Sequence, residues 1–419
     1  MKISVFDIDA TPPVGSHLAY DPAVATWGMG LRARGLVLTG AGDPVVLCAI
    51  DWIGIANESQ DAFKKTLADA VHTVPQRVAV HTLHQHDAPR CDFSTEKALK
   101  EMGAPLDSFD GAFDRELLSR LGKAAAESLN SLRPLTHISI GKAPVYEVAS
   151  NRRIVKDGKV GEMRGSSCKN TALRNEPEGL IDPNVTLLAC WDDHHPVAVM
   201  TFYATHPQSY YRTGIPNPDF PGIARFNRQL AIPDALHIHF NGAGGNIAAG
   251  KYNDGTPENR MILARRLADG MERAWRSSAK FPVTASDVSW KTCPVLLPVT
   301  EALLQELKSQ TGKPDFVPNT KHLWAERTLA GKAIDVACLS IGNARVLFAP
   351  GELFVEYQLA AKSLQPDLAV SMAAYGEYGP SYIGIKEAYS QGGYEVNASP
   401  VTGDAEDILM NAFRKLLNK

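Results

Sequence analysis

Short apolar runs alternate with amphipathic helical stretches along the whole chain, and that alternation limits the available folds more than any other feature of the sequence. Residues 35 to 55, GLVLTGAGDPVVLCAIDWIGI, read as two strands around a Gly-Asp-Pro turn, and residues 58 to 74, ESQDAFKKTLADAVHTV, read as an amphipathic helix. RVAVHTLHQH then predicts a short strand that ends at histidines, and residues 110 to 132 predict a strong helix. THISIGKAPV is strand-like, VTLLACW and HPVAVMTFYAT form a hairpin around residues 192 to 195, and HIHFNGAGGN leads toward a long helix from about 257 to 276. The rhythm returns in AIDVACLSIGNARVLFAPGELF and closes with the helix AEDILMNAFRKLL. Strands interleaved with helices imply an α/β fold with mixed β-sheets flanked by helices. No repeat, low-complexity tract or Pro/Ser linker interrupts the pattern, so residues 1–419 are expected to form a single catalytic domain, with 293–330 a candidate helical insertion.

The composition narrows the function classes. With 419 residues, 44% hydrophobic and 21% charged, the chain can bury a large core, and its net charge of -3 without any basic block excludes a nucleic-acid footprint. A small-molecule partner is the expectation. The cysteines are scattered singly with no C-x-x-C pair, which argues for buried thiols over a zinc ribbon or a redox motif. The opening MKISVFDID has no apolar signal-like region, and no run approaches the roughly 18 apolar residues of a membrane span. A cytoplasmic protein without an integral membrane segment is expected, the alternative being an exported one whose signal has been removed.

Ligand sites in α/β folds gather at loops after the carboxyl ends of strands. Four such loops carry chemistry here: HTLHQHDAP, YATHPQSYY, HFNGAGGNIAAGKYNDG, and APGELF with YGEYGPSYIG. On an extended strand, His84 and His86 at i and i+2 share a face, so both imidazoles could approach one ion or one substrate. Each alone is equally a loop histidine bonded to backbone. His81 points elsewhere and is read as structural, and His237 and His239 in HIH are read as core packing. The NGAGGN loop lacks the G-x-G-x-x-G spacing and any Walker lysine, so a tight functional turn is preferred to a nucleotide cradle.

Taken together these residues resemble the neutral/alkaline non-lysosomal ceramidases. Leu83-His84-Gln85-His86-Asp87-Ala88-Pro89 matches the family's Thr-His-Thr-His-Ser-Gly-Pro, Tyr203-Ala204-Thr205-His206 its Phe-Ala-x-His, and Pro350-Gly351-Glu352 its Pro-Gly-Glu turn. Tyr382 and Tyr394, twelve positions apart, match a family tyrosine pair, and FDIDATPPVG resembles its Asp-Ile-Thr-Pro-Pro entry. The resemblance implies a ceramidase-like catalytic domain in which His84, His206, Glu352 and Tyr382 bind one zinc ion. His86 would then act as acid/base beside the ion, Tyr394 and Asn246 would belong to the catalytic set, and Arg152 or Arg153 would hold polar groups of the substrate. Gly244, Gly245 and Ala248 would line the pocket, and Asp51 and Asp219 are candidates for orienting a metal-bound histidine.

Two departures shape the expected function. Where ceramidases carry Gly-Asp-Val-Ser-Pro with an essential serine, this chain has Gly245-Asn246-Ile247-Ala248-Ala249, so Ala248 removes the serine role. The chain also ends where ceramidases continue into an immunoglobulin-like module, and it has no apolar stretch suited to a lipid lid. The expectation is therefore a zinc-dependent hydrolase of an amide (C–N) bond that uses metal-activated water and not ceramide as substrate. The alternatives are a hydrolase of a carbohydrate-linked bond (glycosidic, ester or N-acyl), suggested by polar loops such as KYNDGTPENR, and a non-catalytic binding protein on the same fold.

Overall fold

Three of the apolar runs, Val45–Ile50, Val78–Thr82 and Ala344–Phe348, are buried at every position. Strands covered on both faces read as continuous hydrophobic runs, and such strands sit at the centre of layered α/β structures. The computed structural model, which describes residues 1–313 and 316–418, builds three larger sheets around them.

All three sheets follow one plan. The first runs Val78–Thr82, Val45–Ile50, Arg32–Thr39, Lys2–Asp9, Arg133–Pro134; the second Leu236–Asn241, His195–Tyr203, Asn184–Asp192, His137–Pro144, Ala279–Pro282; the third Val288–Val295, Ile334–Ile341, Ala344–Phe348, Ala369–Ala373. Each is antiparallel except for one parallel pair at an edge. A parallel pair needs a crossover, and the helices Glu58–Ala70, Asp219–Ala231 and Val355–Leu364 supply them. The inner faces share one apolar core, to which Leu47, Ala79, Met200, Phe240, Val346 and Phe348 contribute. Outside, each crossover helix packs with a second helix: Phe63 and Leu67 with Leu117 and Leu121, Ile223 and Ala224 with Leu263 and Leu267, Tyr357 and Ala361 with Leu409 and Phe413. Mixed sheets flanked by helices are what the hydrophobic pattern implied.

Segment 293–330, the candidate helical insertion, carries two helices. Its first residues complete the strand Val288–Val295, and its helices Glu301–Gln310 and Thr320–Leu329 bury Leu303, Leu307, Trp324 and Ala325 in the core of the third sheet; Pro314 and Asp315 lie outside the described residues. The segment is packed into the core, because its helices present apolar faces that need cover. His81, His237 and His239 are buried in strands as expected, with His81 Nδ1–H donating to the Ala374 carbonyl and His239 bonded to Thr201. No described helix is long and apolar enough to cross a membrane.

The parallel strand ends are stitched together by main-chain bonds. Thr82 N–H donates to Tyr375, Ala374 N–H to Asn241 and Gly245 N–H to Leu353, at 2.8 to 3.0 Å. Asp51, expected to orient a histidine, touches no imidazole. It takes a two-pronged bond from Arg225 at 2.7 and 2.6 Å and accepts from the Gln85 amide at 3.3 Å, so it fixes the loop between His84 and His86 indirectly. Asp219 likewise meets Ser209 N–H at 3.1 Å, its neighbour Phe220 N–H at 2.6 Å and Arg260 at 3.5 Å, and no histidine. Both carboxylates are buried charges, and a buried charge is tolerated when a guanidinium and N–H donors surround it.

Removing one partner of such a pair leaves the other uncompensated. Arg225→Met should therefore destabilise the protein by about 3–5 kcal/mol, read from denaturant unfolding, and adding Asp51→Asn should recover part of that loss. A change below about 1 kcal/mol for the single variant would show that the pair does not hold the two units together.

Candidate metal centre

The strand Val78–Thr82 ends two residues before His84, so the extended i, i+2 argument does not describe this loop. Leu83 and His84 continue the main-chain pairing by donating to Ile50 and Trp52, and the chain then turns through a left-handed conformation at His84 (φ 67°). For a residue with a Cβ this costs of order 1–3 kcal/mol and persists only where the surroundings impose it. Both imidazoles still reach the same cavity, through this kink. Tyr375 (φ 61°), whose ring stacks on His84 at 4.8 Å, and Ser381 (φ 51°), beside the glutamate turn, share the conformation. His206 follows the second sheet's strand His195–Tyr203 and donates its N–H to Ile247 at 2.8 Å. Glu352 follows the third sheet's Ala344–Phe348 through Gly351, whose φ of 60° and closeness to the Ser381 carbonyl favour glycine. One side chain from each βαβ unit thus meets the other two.

Their protonation follows from the hydrogen bonds. His84 Nδ1 lies 2.6 Å from the Ile53 carbonyl, His206 Nδ1 2.9 Å from the Gly244 carbonyl, and His86 Nδ1 3.1 Å from the His84 carbonyl. A carbonyl only accepts, so each Nδ1 carries the proton and each neutral ring presents an Nε2 lone pair. Glu352 Oε2 is 3.3 Å from both His84 Nε2 and His206 Nε2, while its Oε1 accepts from the Tyr378 hydroxyl at 3.1 Å. Burial pulls the His206 imidazole down to about 4, so it is neutral at pH 7.

A carboxylate oxygen thus faces two imidazole lone pairs at contact distance, buried and without a hydrogen-bond donor. Acceptors so arranged repel unless a cation joins them. The 3.3 Å separations agree with the edge of a tetrahedron whose metal–ligand bonds are about 2.0–2.1 Å, an edge of about 3.3–3.4 Å. The residues present therefore fit a small divalent ion. His86 completes a three-histidine cluster whose ring nitrogens lie within 4.8 Å of one another. Burial pushes its imidazole well below its ordinary value, which leaves a neutral base at the cavity wall.

The remaining residues divide. Arg152 lines the cavity, its guanidinium 5.6 Å from the Tyr382 ring centroid and paired with Glu395 at 3.2 Å. Tyr382 stacks on His206 (ring centroids 6.2 Å apart), and burial keeps its hydroxyl well above its ordinary value, a phenol and not a phenolate. Tyr394 stands at the rim, edge-on to Tyr382. Arg153 faces away, toward Glu395, Gln391 and the Phe354 ring. Asn246 and the glycine turn also have a use other than the expected one. The Asn246 amide donates to Glu356 and accepts from Val355 N–H, holding the start of helix Val355–Leu364. The Gly245 N–H is taken by Leu353, and Gly244 supplies the carbonyl that orients His206. Ala248 is fully buried, its main chain paired with Ser150. None of these four residues lines the cavity.

The sequence reading missed Tyr378, Tyr20, Tyr211, Arg90 and Lys321, which line a cavity of about 360 Å³ with the histidines. Tyr378 and Tyr211 lie in loops already singled out, where aromatic content was the available signal. Tyr20, stacked on His86 with ring centroids 5.7 Å apart, carried none.

No family model and no curated protein matches this sequence. Among solved structures the chain is similar to the neutral ceramidase from Pseudomonas aeruginosa (TM-score 0.67, 16% identity, covering 99% of this chain and 73% of that one). It is also similar to a ceramidase complexed with C2 (TM-score 0.69, 15% identity, 99% and 74%). The chain is a structural relative of the neutral ceramidases and has their fold over nearly its whole length.

A Cβ on Gly245 would lie 2.2 Å from the Glu352 carbonyl oxygen, so the turn can press on the glutamate only as glycine. Gly245→Ala should displace Glu352 and weaken metal binding about tenfold to a hundredfold, measured by equilibrium dialysis. Gly161→Ala, where a Cβ meets nothing within 4 Å, should leave it unchanged.

Proposed function

We propose that this protein is a zinc-dependent hydrolase of an amide bond in a small hydrophilic substrate. The observation that carries the reading is the buried meeting of His84 Nε2, His206 Nε2 and Glu352 Oε2 without a proton between them, at the floor of a cavity that also holds a neutral histidine. His84, His206 and Glu352 would hold the ion, with Tyr382 or His86 beside the remaining position. A bound zinc ion supplies Lewis acidity and lowers the pKa of a bound water to about 7.

The protein's own groups account for the rest of the chemistry. His86, with Nδ1 committed to a carbonyl, has Nε2 free to take a proton from the attacking water and return it to the departing amine. The Arg152 guanidinium and the Tyr382 hydroxyl are donors on the same wall and can stabilise charge that develops on the carbonyl oxygen. Tyr378 holds the second oxygen of Glu352, so the carboxylate presents Oε2 to the histidines. No serine is required.

The lining also discriminates among substrates. Glycosidases ordinarily use two carboxylates across the scissile bond, and Glu352 is the one carboxylate among the described cavity residues, which favours acyl chemistry over a glycosidic bond. Five tyrosines, two arginines and a lysine surround the floor. A long-chain lipid amide finds little apolar surface there, which argues against ceramide.

Protein purified without added metal should contain about one zinc per chain by elemental analysis, and His84→Ala should lose most of it. A panel of short N-acyl amides should release amine in a chelator-sensitive reaction. His86→Ala should retain the metal while turnover falls a hundredfold or more. Wild-type protein with no metal and no chelator effect would overturn the assignment, and parallel loss of metal and rate in His86→Ala would make His86 a ligand.

A further inference from the structure

Most buried arginines in this fold have an answering group: Arg225 has Asp51, Arg153 has Glu395, Arg34 has Asp7, and Arg164 has a ring of main-chain carbonyls. Arg90, half-buried, has no such group. Its guanidinium lies on the wall of the metal cavity, 6.0 Å from the Tyr20 ring centroid and 5.6 Å from that of Phe109. Its Nε is buried without a hydrogen-bond partner, as are those of Arg34 and Arg164, but unlike them it makes neither an ion pair nor a bond to a carbonyl among the described residues. A permanently charged, partly buried guanidinium without an anion is unfavourable.

A second cation stands with it. Lys321, on the helix Thr320–Leu329, donates to the Ala398 carbonyl and has no carboxylate partner among the described residues. Arg90, Lys321, Tyr378 and Ser381 line both the metal cavity and an adjoining cleft of about 300 Å³ that Phe109 and Thr320 close. The Thr320 hydroxyl is also buried and unpartnered. Arg152 also lines the cavity but is paired with Glu395, and Glu352 is the one carboxylate among the described lining residues, so Arg90 and Lys321 leave the site positive before any metal is counted.

We infer that the substrate carries a carboxylate, bound by Arg90 and Lys321 at the junction of cavity and cleft, so that the hydrolysed amide belongs to an N-acyl amino acid or a compound of that class. Arginine's planar fork matches a carboxylate through two parallel N–H donors, and the Tyr20 and Phe109 rings beside the guanidinium limit its freedom. This assignment rests on the hydrolase reading for the identity of the bond, but not for the anion site itself.

The probe pair is N-benzoylglycine and its uncharged carboxamide, tested by calorimetry on zinc-loaded protein and on chelator-treated protein. The acid should bind about tenfold to a hundredfold more tightly than the carboxamide, in both forms, which separates Arg90 from direct ligation of the metal. Arg90→Gln should abolish that preference with zinc content and circular dichroism unchanged, and Lys321→Met should reduce it. Equal affinity for acid and carboxamide in the wild type, a preference confined to zinc-loaded protein, or one that survives Arg90→Gln overturns the proposal. Chelator-sensitive cleavage of uncharged amides with no acid preference would leave the hydrolase reading standing while this one fails. Arg90-dependent binding of the acid without turnover of any amide would do the reverse.

Discussion

Two imidazole lone pairs and one carboxylate oxygen meet in a buried space where no proton is available to join them. Each histidine has committed its Nδ1–H to a main-chain carbonyl, and Tyr378 has taken the other carboxylate oxygen, so the remaining acceptors have nothing to accept from within the chain. A folded protein tolerates such an arrangement when a cation occupies it or when the surroundings are rigid enough to impose it. Here the three acceptors come from three different sheets, so the pressure to keep them together is borne by the whole architecture.

That architecture is one unit used three times. His84 follows the second strand of the parallel pair in the first sheet, whereas His206 and Glu352 follow the first strand of the pair in the second and third, ahead of the crossover helix, and main-chain bonds between the strand ends lock the units in register. The left-handed backbone at His84, Tyr375 and Ser381 is then a local expense confined to the point of convergence. The glycine turn at 244–245 has the same logic. Its absent side chains let it pass between Thr205 and the Glu352 carbonyl, and its own carbonyl orients His206. A motif that looks like a ligand cradle in the sequence is used to press two metal-facing residues into place.

The cavity above this floor is polar and positive, and charge in a confined, partly desolvated space selects partners more sharply than shape does. Phenols around His86 and Tyr382 keep the wall hydrogen-bonding, while Arg90 and Lys321 keep it cationic toward the adjoining cleft. A fold shared with ceramidases therefore surrounds a site whose lining suits a hydrophilic, acidic molecule. The scaffold is what the two have in common.

The α/β class, the long helix at Pro257–Arg276 and the strands that lead into His84, His206 and Glu352 were legible in the sequence, because hydrophobic periodicity and breaker residues act over a few neighbours and leave a local trace. His84, His206 and Glu352 stood out for the same reason, each lying just after an apolar run. What the tertiary structure alone decided was which groups face one another. Asp51 turned to Arg225 and not to a histidine, Arg153 turned away while its neighbour Arg152 turned in, and Asn246 was claimed by the helix at Val355. Tyr20, Arg90 and Lys321 joined the site from segments with no motif at all. Spacing in a chain reports which face a residue is on, whereas partner choice depends on contacts hundreds of residues apart, and these are set by how three sheets pack against one core.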